Sequence, residues 1–184
     1  MAIEQIYEHR LNPLKGWPNM QVTDQALEAN SGVTVVPGMV CHRDPATGKA
    51  ALGCPAGSVP LFCIVTGNRT IDTDSYREPG EFASATEIDS IGVKKGGAKC
   101  SFIVGTYAFE AETTEYDGVT GDFPVDGPVY SPTTGSNAGK LVKAASPATD
   151  PVIAVISSKA GVYADAHKTS VIRFNNLPGV ARGI

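Results

Sequence analysis

From Val33 onward the chain alternates short apolar runs with turn residues. Val33-Thr-Val-Val-Pro37 and Gly38-Met-Val-Cys-His42 read as two strands or one broken strand, since a proline within a run implies an edge or a bend. Arg43-Asp-Pro-Ala-Thr-Gly48 is a turn, opened by Asp-Pro and closed by glycine. Leu61-Phe-Cys-Ile-Val65 is wholly apolar and short, which predicts a buried strand. Residues 69–74 and 88–93 predict two more strands around a polar stretch, 75–85. Residues 99–110 are the longest strand candidate and carry Phe102, Val104, Tyr107 and Phe109. Residues 110–121 read as an acidic loop. Strands over 125–130, 140–144, 152–156 and 170–174 complete the set, and 160–167 can hold one helical turn. Strand signals about every ten residues predict an all-β sandwich or barrel.

Two passages repeat one outline. Gly48-Lys49, Pro60 and the apolar run after it return, at the same interval, as Gly139-Lys140, Pro151 and Val152-Ile-Ala-Val-Ile156. A Gly-x-Val precedes each: Gly38-Met-Val40 and Gly127-Pro-Val129. The shared unit is strand, hairpin, buried strand, which predicts an internal pseudo-repeat whose halves pack as one small barrel.

Residues 1–32 differ from the remainder and form a separate unit, an N-terminal arm before a β domain at 33–184. Ile3, Ile6 and Tyr7 can share a face of a short helix. Leu11-Asn-Pro13-Leu-Lys-Gly16-Trp17-Pro18-Asn-Met20 then breaks any periodicity, because each proline pushes the residue before it into extended conformations. Residues 23–30 can form a turn or two of helix. Leu11, Leu14, Trp17 and Met20 are too apolar to stay in water, and they can bury on the chain's own domain or on a partner.

Composition narrows the function. The net charge is −4, with no basic stripe, which sets nucleic-acid binding aside. No run of about 18 apolar residues is present, so no helical membrane span is expected. The N-terminus lacks the layout of a secretion signal, so Cys41, Cys54, Cys63 and Cys100 are expected to stay reduced. Their spacing makes no zinc knuckle. Successive residues of a strand point to opposite faces, so Cys41 and His42 make a poor catalytic dyad. Neither Gly-Lys pair completes a phosphate-binding loop: Arg43 and Thr134 stand where its first glycine belongs. The acidic groups Asp72/Asp74/Glu78 and Glu110/Glu112/Glu115/Asp117 read as solvated loop charge. No catalytic residue, cofactor or metal is expected, and the chain is read as a non-enzyme.

Residues 36–52 (Val-Pro-Gly-Met-Val-Cys-His-Arg-Asp-Pro-Ala-Thr-Gly-Lys-Ala-Ala-Leu) resemble the opening barrel strands of tailed-bacteriophage capsid decoration, or cement, proteins. Gly127-Pro-Val-Tyr-Ser-Pro, Gly139-Lys-Leu-Val and Pro151-Val-Ile-Ala-Val-Ile resemble a recurring strand pair of that group. The match departs at Ile153-Ala154, where the group often has Ile-Gly. The resemblance spans about residues 33–67 and 119–158. It implies a small β-barrel or β-tulip domain on the outer capsid surface of a virion, bound to the major capsid protein and to copies of itself as a trimer or dimer. It carries over no catalytic residue. The arm supplies the expected interface: Tyr7, Leu11, Leu14, Trp17 and Met20 as apolar anchors and Arg10 at the rim, with strand addition as a further mode. The alternative is a tail or head-fibre module that binds host carbohydrate, suggested by the acidic loops with Tyr107, Tyr116 and Tyr130. A hydrolase without a legible motif is a third possibility.

Overall fold

The computed structural model describes residues 11–16, 21–22, 27–28, 33, 35–66, 99–145, 150–162 and 170–179. Their strands, in chain order, are β1 (Leu11–Lys15), β2 (Gln21–Val22), β3 (Leu27–Glu28), β4 (Val40–Arg43), β5 (Ala50–Leu52), β6 (Leu61–Thr66), β7 (Lys99–Val104), β8 (Glu110–Thr113), β9 (Pro128–Val129), β10 (Ala154–Val162) and β11 (Ser170–Asn176). Among the described residues one 3-10 turn forms, over Thr120–Asp122. The fold is all-β, with no α-helix among the described residues.

Two antiparallel sheets form. The first runs β1-β8-β11-β10-β9; the second runs β2-β7-β6-β4-β5, with β3 also paired to β7. The sheets share one core. Val40, Phe62 and Ile103 of the second sheet meet Leu11, Ala111, Ile156, Ile172 and Phe174 of the first. Phe109, on the turn between β7 and β8, packs edge-on to Phe62 at 5.1 Å, and Phe62 stacks on Phe174 at 5.4 Å. Each buried ring of this kind contributes about 1.5–3 kcal/mol of hydrophobic stabilisation, so this trio is the main bond between the layers. Thr113 adds a polar tie, its hydroxyl donating to the Gly38 carbonyl.

The apolar run of β6 explains a second core. Period-two alternation sends Phe62 into the shared core and Leu61 and Cys63 to the opposite face. There they join Val35, Cys41, Ala50 and Phe102. The second sheet is therefore buried on both faces, as a wholly apolar strand requires.

The two repeated passages occupy comparable surroundings. β4 pairs with β5 on one side and β6 on the other. β9 pairs with β10, and Tyr130, which follows it, pairs with Val142 on its other side. Gly48 and Gly139 both have positive φ, +71° and +81°. The two passages also bond to each other: Val40 N–H donates to the Gly139 carbonyl and Cys54 N–H to the Ser131 carbonyl. Gly53 makes this approach possible, because its φ is +75° and a Cβ there would run into the Pro132 carbonyl.

Several elements differ from the sequence expectation. Residues 99–110 are not one strand. The chain turns at Gly105, and β7 and β8 join different sheets. Residues 110–113, expected in an acidic loop, form β8. Residues 160–162, expected to start a helical turn, continue β10, and 27–28 are strand rather than helix. Among the described residues of 33–37 only Val35 makes a bridge, and β4 starts at Val40. Of the hairpin strand expected over 140–144, only bridges at Leu141 and Val142 form. The strands expected at 69–74 and 88–93 lie outside the described residues.

Candidate interaction surface

The segment expected to be an arm supplies edge strands to both sheets. β1 lies at the edge of the first sheet against β8, and β2 and β3 border the second against β7. Leu11 is buried in the chain's own core, Leu14 is half-buried, and Tyr7, Arg10, Trp17 and Met20 lie outside the described residues. Leu11 is thus anchored within the molecule. Pro13 is tolerated because an edge strand has one unpaired side on which a missing N–H does no harm. Gly16 ends the strand at φ +88°, pressed against the Ala108 carbonyl where a Cβ would not fit.

The described edges are poor templates for an added strand. β1 carries Pro13 and a register shift between Pro13 and Lys15. β9 is two residues long and begins with Pro128, and β5 has three residues. Prolines, bulges and short edges are the devices that block edge-to-edge pairing. Recognition through the described surface therefore falls to side chains.

The acidic group at the start of β8 is structural. Glu112 and Glu115 are buried, not solvated as expected. Arg173 of β11 donates from Nε to Glu112 at 3.2 Å. Glu110 takes the Lys15 ammonium at 2.8 Å and the Ser157 hydroxyl at 2.8 Å. The Lys15 hydrogen bond, with help from Ser157, holds the Glu110 carboxyl below the usual carboxylate range against some burial. Beside this pair a recess of about 360 Å³ opens over Ala108, Ser157 and Asn175. Near the opposite edge of the sheet, Lys143 meets Asp122 at 2.8 Å. That contact and the Val119 N–H lower the Asp122 pKa.

The polar groups that sequence reasoning tested for chemistry are held in place by the fold. His42 is nearly buried, and its Nδ1 donates to the Gly53 carbonyl at 2.9 Å. Cys41, Cys54 and Cys63 are buried. Burial, with the Asp150 carboxylate nearby, pushes the Cys54 thiol up to about 12, so it stays protonated and unreactive near neutral pH. Among the described residues no group of His, Cys, Asp and Glu is placed to hold a metal ion.

Of the three tyrosines named for sugar binding, Tyr116 packs edge-on to Phe123 at 5.5 Å and Tyr130 is half-buried. Tyr107 alone of the three is exposed. It stands on the 105–109 turn, which the buried Asn176 amide organises. The Asn176 side-chain oxygen accepts from Phe109 N–H at 2.6 Å, and its NH₂ donates to the Tyr107 and Gly105 carbonyls at 2.8 and 3.3 Å. Asn176 was missed from sequence; an Asn-Asn pair closing a strand reads as an ordinary stop signal.

No protein-family model, curated protein or solved structure matches the chain.

Proposed function

We propose that the chain is a non-enzymatic structural protein of a bacteriophage virion, bound to the outer capsid surface, where it stabilises the lattice of major capsid protein and meets copies of itself as a trimer or dimer. In this reading the body is a small barrel or tulip-like domain whose repeated passages are pseudo-symmetric halves. The comparable surroundings of β4 and β9 support that view. The phage setting rests on the resemblance of residues 33–67 and 119–158.

The observation that carries the reading is the course of the N-terminal segment. Between Leu11 and Glu28 it is hydrogen-bonded first into one sheet and then into the other. Trp17 and Met20 fall in sequence between β1 and β2, so anything they grip is tied to both layers, while Tyr7 and Arg10 lead into β1. Load taken by this segment passes into the shared core rather than peeling off a single strand. That is the mechanical requirement of a lattice stabiliser, and it asks nothing of acid–base chemistry. Many copies on a closed shell then add their individually modest contacts.

The test is removal of residues 2–10, a cut that stops short of Leu11 so that β1 keeps its core contact. The shortened protein is expected to keep its thermal midpoint and circular dichroism and to lose occupancy on purified capsids of its phage. Full occupancy of a folded, shortened protein would overturn the assignment of the arm.

A further inference from the structure

We infer that the recess beside Lys15 and Glu110 is a binding site for a neutral saccharide. The inference goes beyond the capsid reading and does not depend on it. The recess, about 360 Å³, is lined by Lys15, Ala108, Phe109, Glu110, Ser157 and Asn175. Small-molecule pockets span about 300–1,000 Å³, so this one suits a short sugar rather than a long chain.

Its polar groups come from four strands, and two backbone irregularities help to gather them. Glu110 of β8 is the register partner of Lys15 on one side and of Asn175 on the other. Leu11 of β1 points into the core, so unbroken alternation would turn Lys15 the same way. The register shift between Pro13 and Lys15 sets Lys15 opposite Glu110 instead, and the ammonium reaches the carboxylate at 2.8 Å. On β10, Ser157 has no partner in the ladder, which passes from Ile156–Phe174 to Ser158–Arg173. Its hydroxyl donates to Glu110 at 2.8 Å. Bulges are common beside sites because they re-aim a side chain. Here two of them, on the strands that flank the β8–β11 pair, serve one carboxylate.

The walls are preset. β1 ends at Gly16, pressed against the Ala108 carbonyl. The Asn176 amide holds the Phe109 N–H and the Tyr107 carbonyl, which fixes the chain on both sides of Ala108. A site that needs little ordering keeps more of its contact energy as affinity.

The ligand class follows from the hydrogen-bonding groups. Glu110 is ionised near neutral pH and offers only acceptors, some of them beyond those used by Lys15 and Ser157. The Lys15 ammonium has donors beyond the one it gives Glu110. Ser157, its proton given to Glu110, presents lone pairs. Asn175 is exposed, and its carboxamide both donates and accepts. Donors and acceptors thus alternate within one small area, and neighbouring sugar hydroxyls, each a donor and an acceptor, match that pattern. Charge points the same way. Lys15 and Glu110 cancel, so a charged ligand would find its counter-charge already matched and a like charge beside it. Phe109 is 3% exposed, too little to stack a nucleobase.

Nitrogen–proton correlation spectra of the full-length protein test this. The probes are the methyl glycosides of glucose, galactose, mannose and N-acetylglucosamine, with glucose 6-phosphate and N-acetylneuraminic acid as charged counterparts. At least one neutral probe is expected to shift the Glu110 and Ser157 amides and the Asn175 side-chain NH₂ in a saturable way. Asn175→Ala and Ser157→Ala should each weaken that probe about fivefold, the loss of one net hydrogen bond, while the rest of the spectrum shows the fold intact. Lys143→Ala, near the opposite edge of the sheet, should bind as the wild type does. No saturable shift from any neutral probe at its solubility limit would overturn the proposal. So would shifts confined to other parts of the protein, undiminished binding in both variants, or tighter binding of either charged probe. The 2–10 deletion keeps every lining residue, so its effect on capsids bears on the other reading alone.

Discussion

The two sheets use the same backbone pattern to different ends. In the second, neighbouring residues of one strand are buried on opposite sides: Val40 and Cys41, Phe62 and Cys63, Ile103 and Phe102. In the first, Ala111, Ile172 and Phe174 face the core, while Glu110, Glu112, Arg173 and Asn175 line the other face. One sheet is held by packing from above and below. The other is held by packing below and by ion pairs and hydrogen bonds above. Apolar burial responds little to pH, whereas exposed charge pairs respond to pH and are screened by salt. The Lys15–Glu110 pair at the edge of the first sheet is one such contact.

The comparison is most exposed at two phenylalanines on opposite sides of the second sheet. Phe62→Ala, in the shared core, should cost about 3–5 kcal/mol. Phe102→Ala, in the second cluster, should cost about as much, since both rings are fully buried. Urea unfolding checks both. A loss under about 1 kcal/mol at Phe102 would mean that the second face is a cover rather than a core. Gly53→Ala comes next, at about 2–4 kcal/mol, from a left-handed backbone plus the collision with Pro132. A midpoint unchanged by this substitution would show that the two repeated passages do not bear on one another.

On the first sheet the effects should be smaller and reparable. Arg173→Ala leaves the Glu112 carboxylate without one of its donors in a buried setting and should cost about 1–3 kcal/mol. The double variant Arg173→Met with Glu112→Gln should recover most of that loss, because replacing both partners removes the stranded charge. No recovery would mean that the outer face is fixed by its fine geometry and not by charge balance.

The smallest effect is a pH dependence. The Glu110 pKa is lowered in the folded state, first by Lys15. Its contribution is therefore fully present above the ordinary carboxylate pKa, and it fades as the pH falls through the lowered folded value. Lys15 is mostly exposed, so Lys15→Ala should cost under about 1 kcal/mol at neutral pH. The gap between wild type and Lys15→Ala should narrow as the pH falls into the acid range. A gap of constant size would assign the effect to packing of the lysine stem.

What the sequence made legible follows from how local each cause is. Leu61 to Val65 was readable as a buried strand because every residue in it is apolar. The turn at 43–48 was readable because Asp44 caps it locally, accepting from Ala46 N–H and the Thr47 hydroxyl. The break between β7 and β8 was not readable. Gly105 is one glycine in an otherwise apolar stretch, and the groups that hold the turn, Pro60 and Asn176, come from distant parts of the chain. The same holds at the N-terminus. Pro13 and Gly16 marked irregular chain, but whether a proline sits on the free side of an edge strand depends on its neighbour, β8. The burial of Glu112 and Glu115 was hidden too, because it depends on what a strand lies against. At the candidate surface the aromatic residues could be named, but not which of them would stand exposed.

The Asn176 side chain also makes the molecule vulnerable to age. Its oxygen and its NH₂ have opposite duties, and only the amide performs both. Hydrolysis to aspartate would set a carboxylate oxygen against the Gly105 and Tyr107 carbonyls, both of which now accept from the lost nitrogen. The sheets would survive and the Tyr107 turn would open. In an old preparation this would register as faster deuterium uptake at the Phe109 amide and a lowered thermal midpoint, since the new charge is buried and faces acceptors.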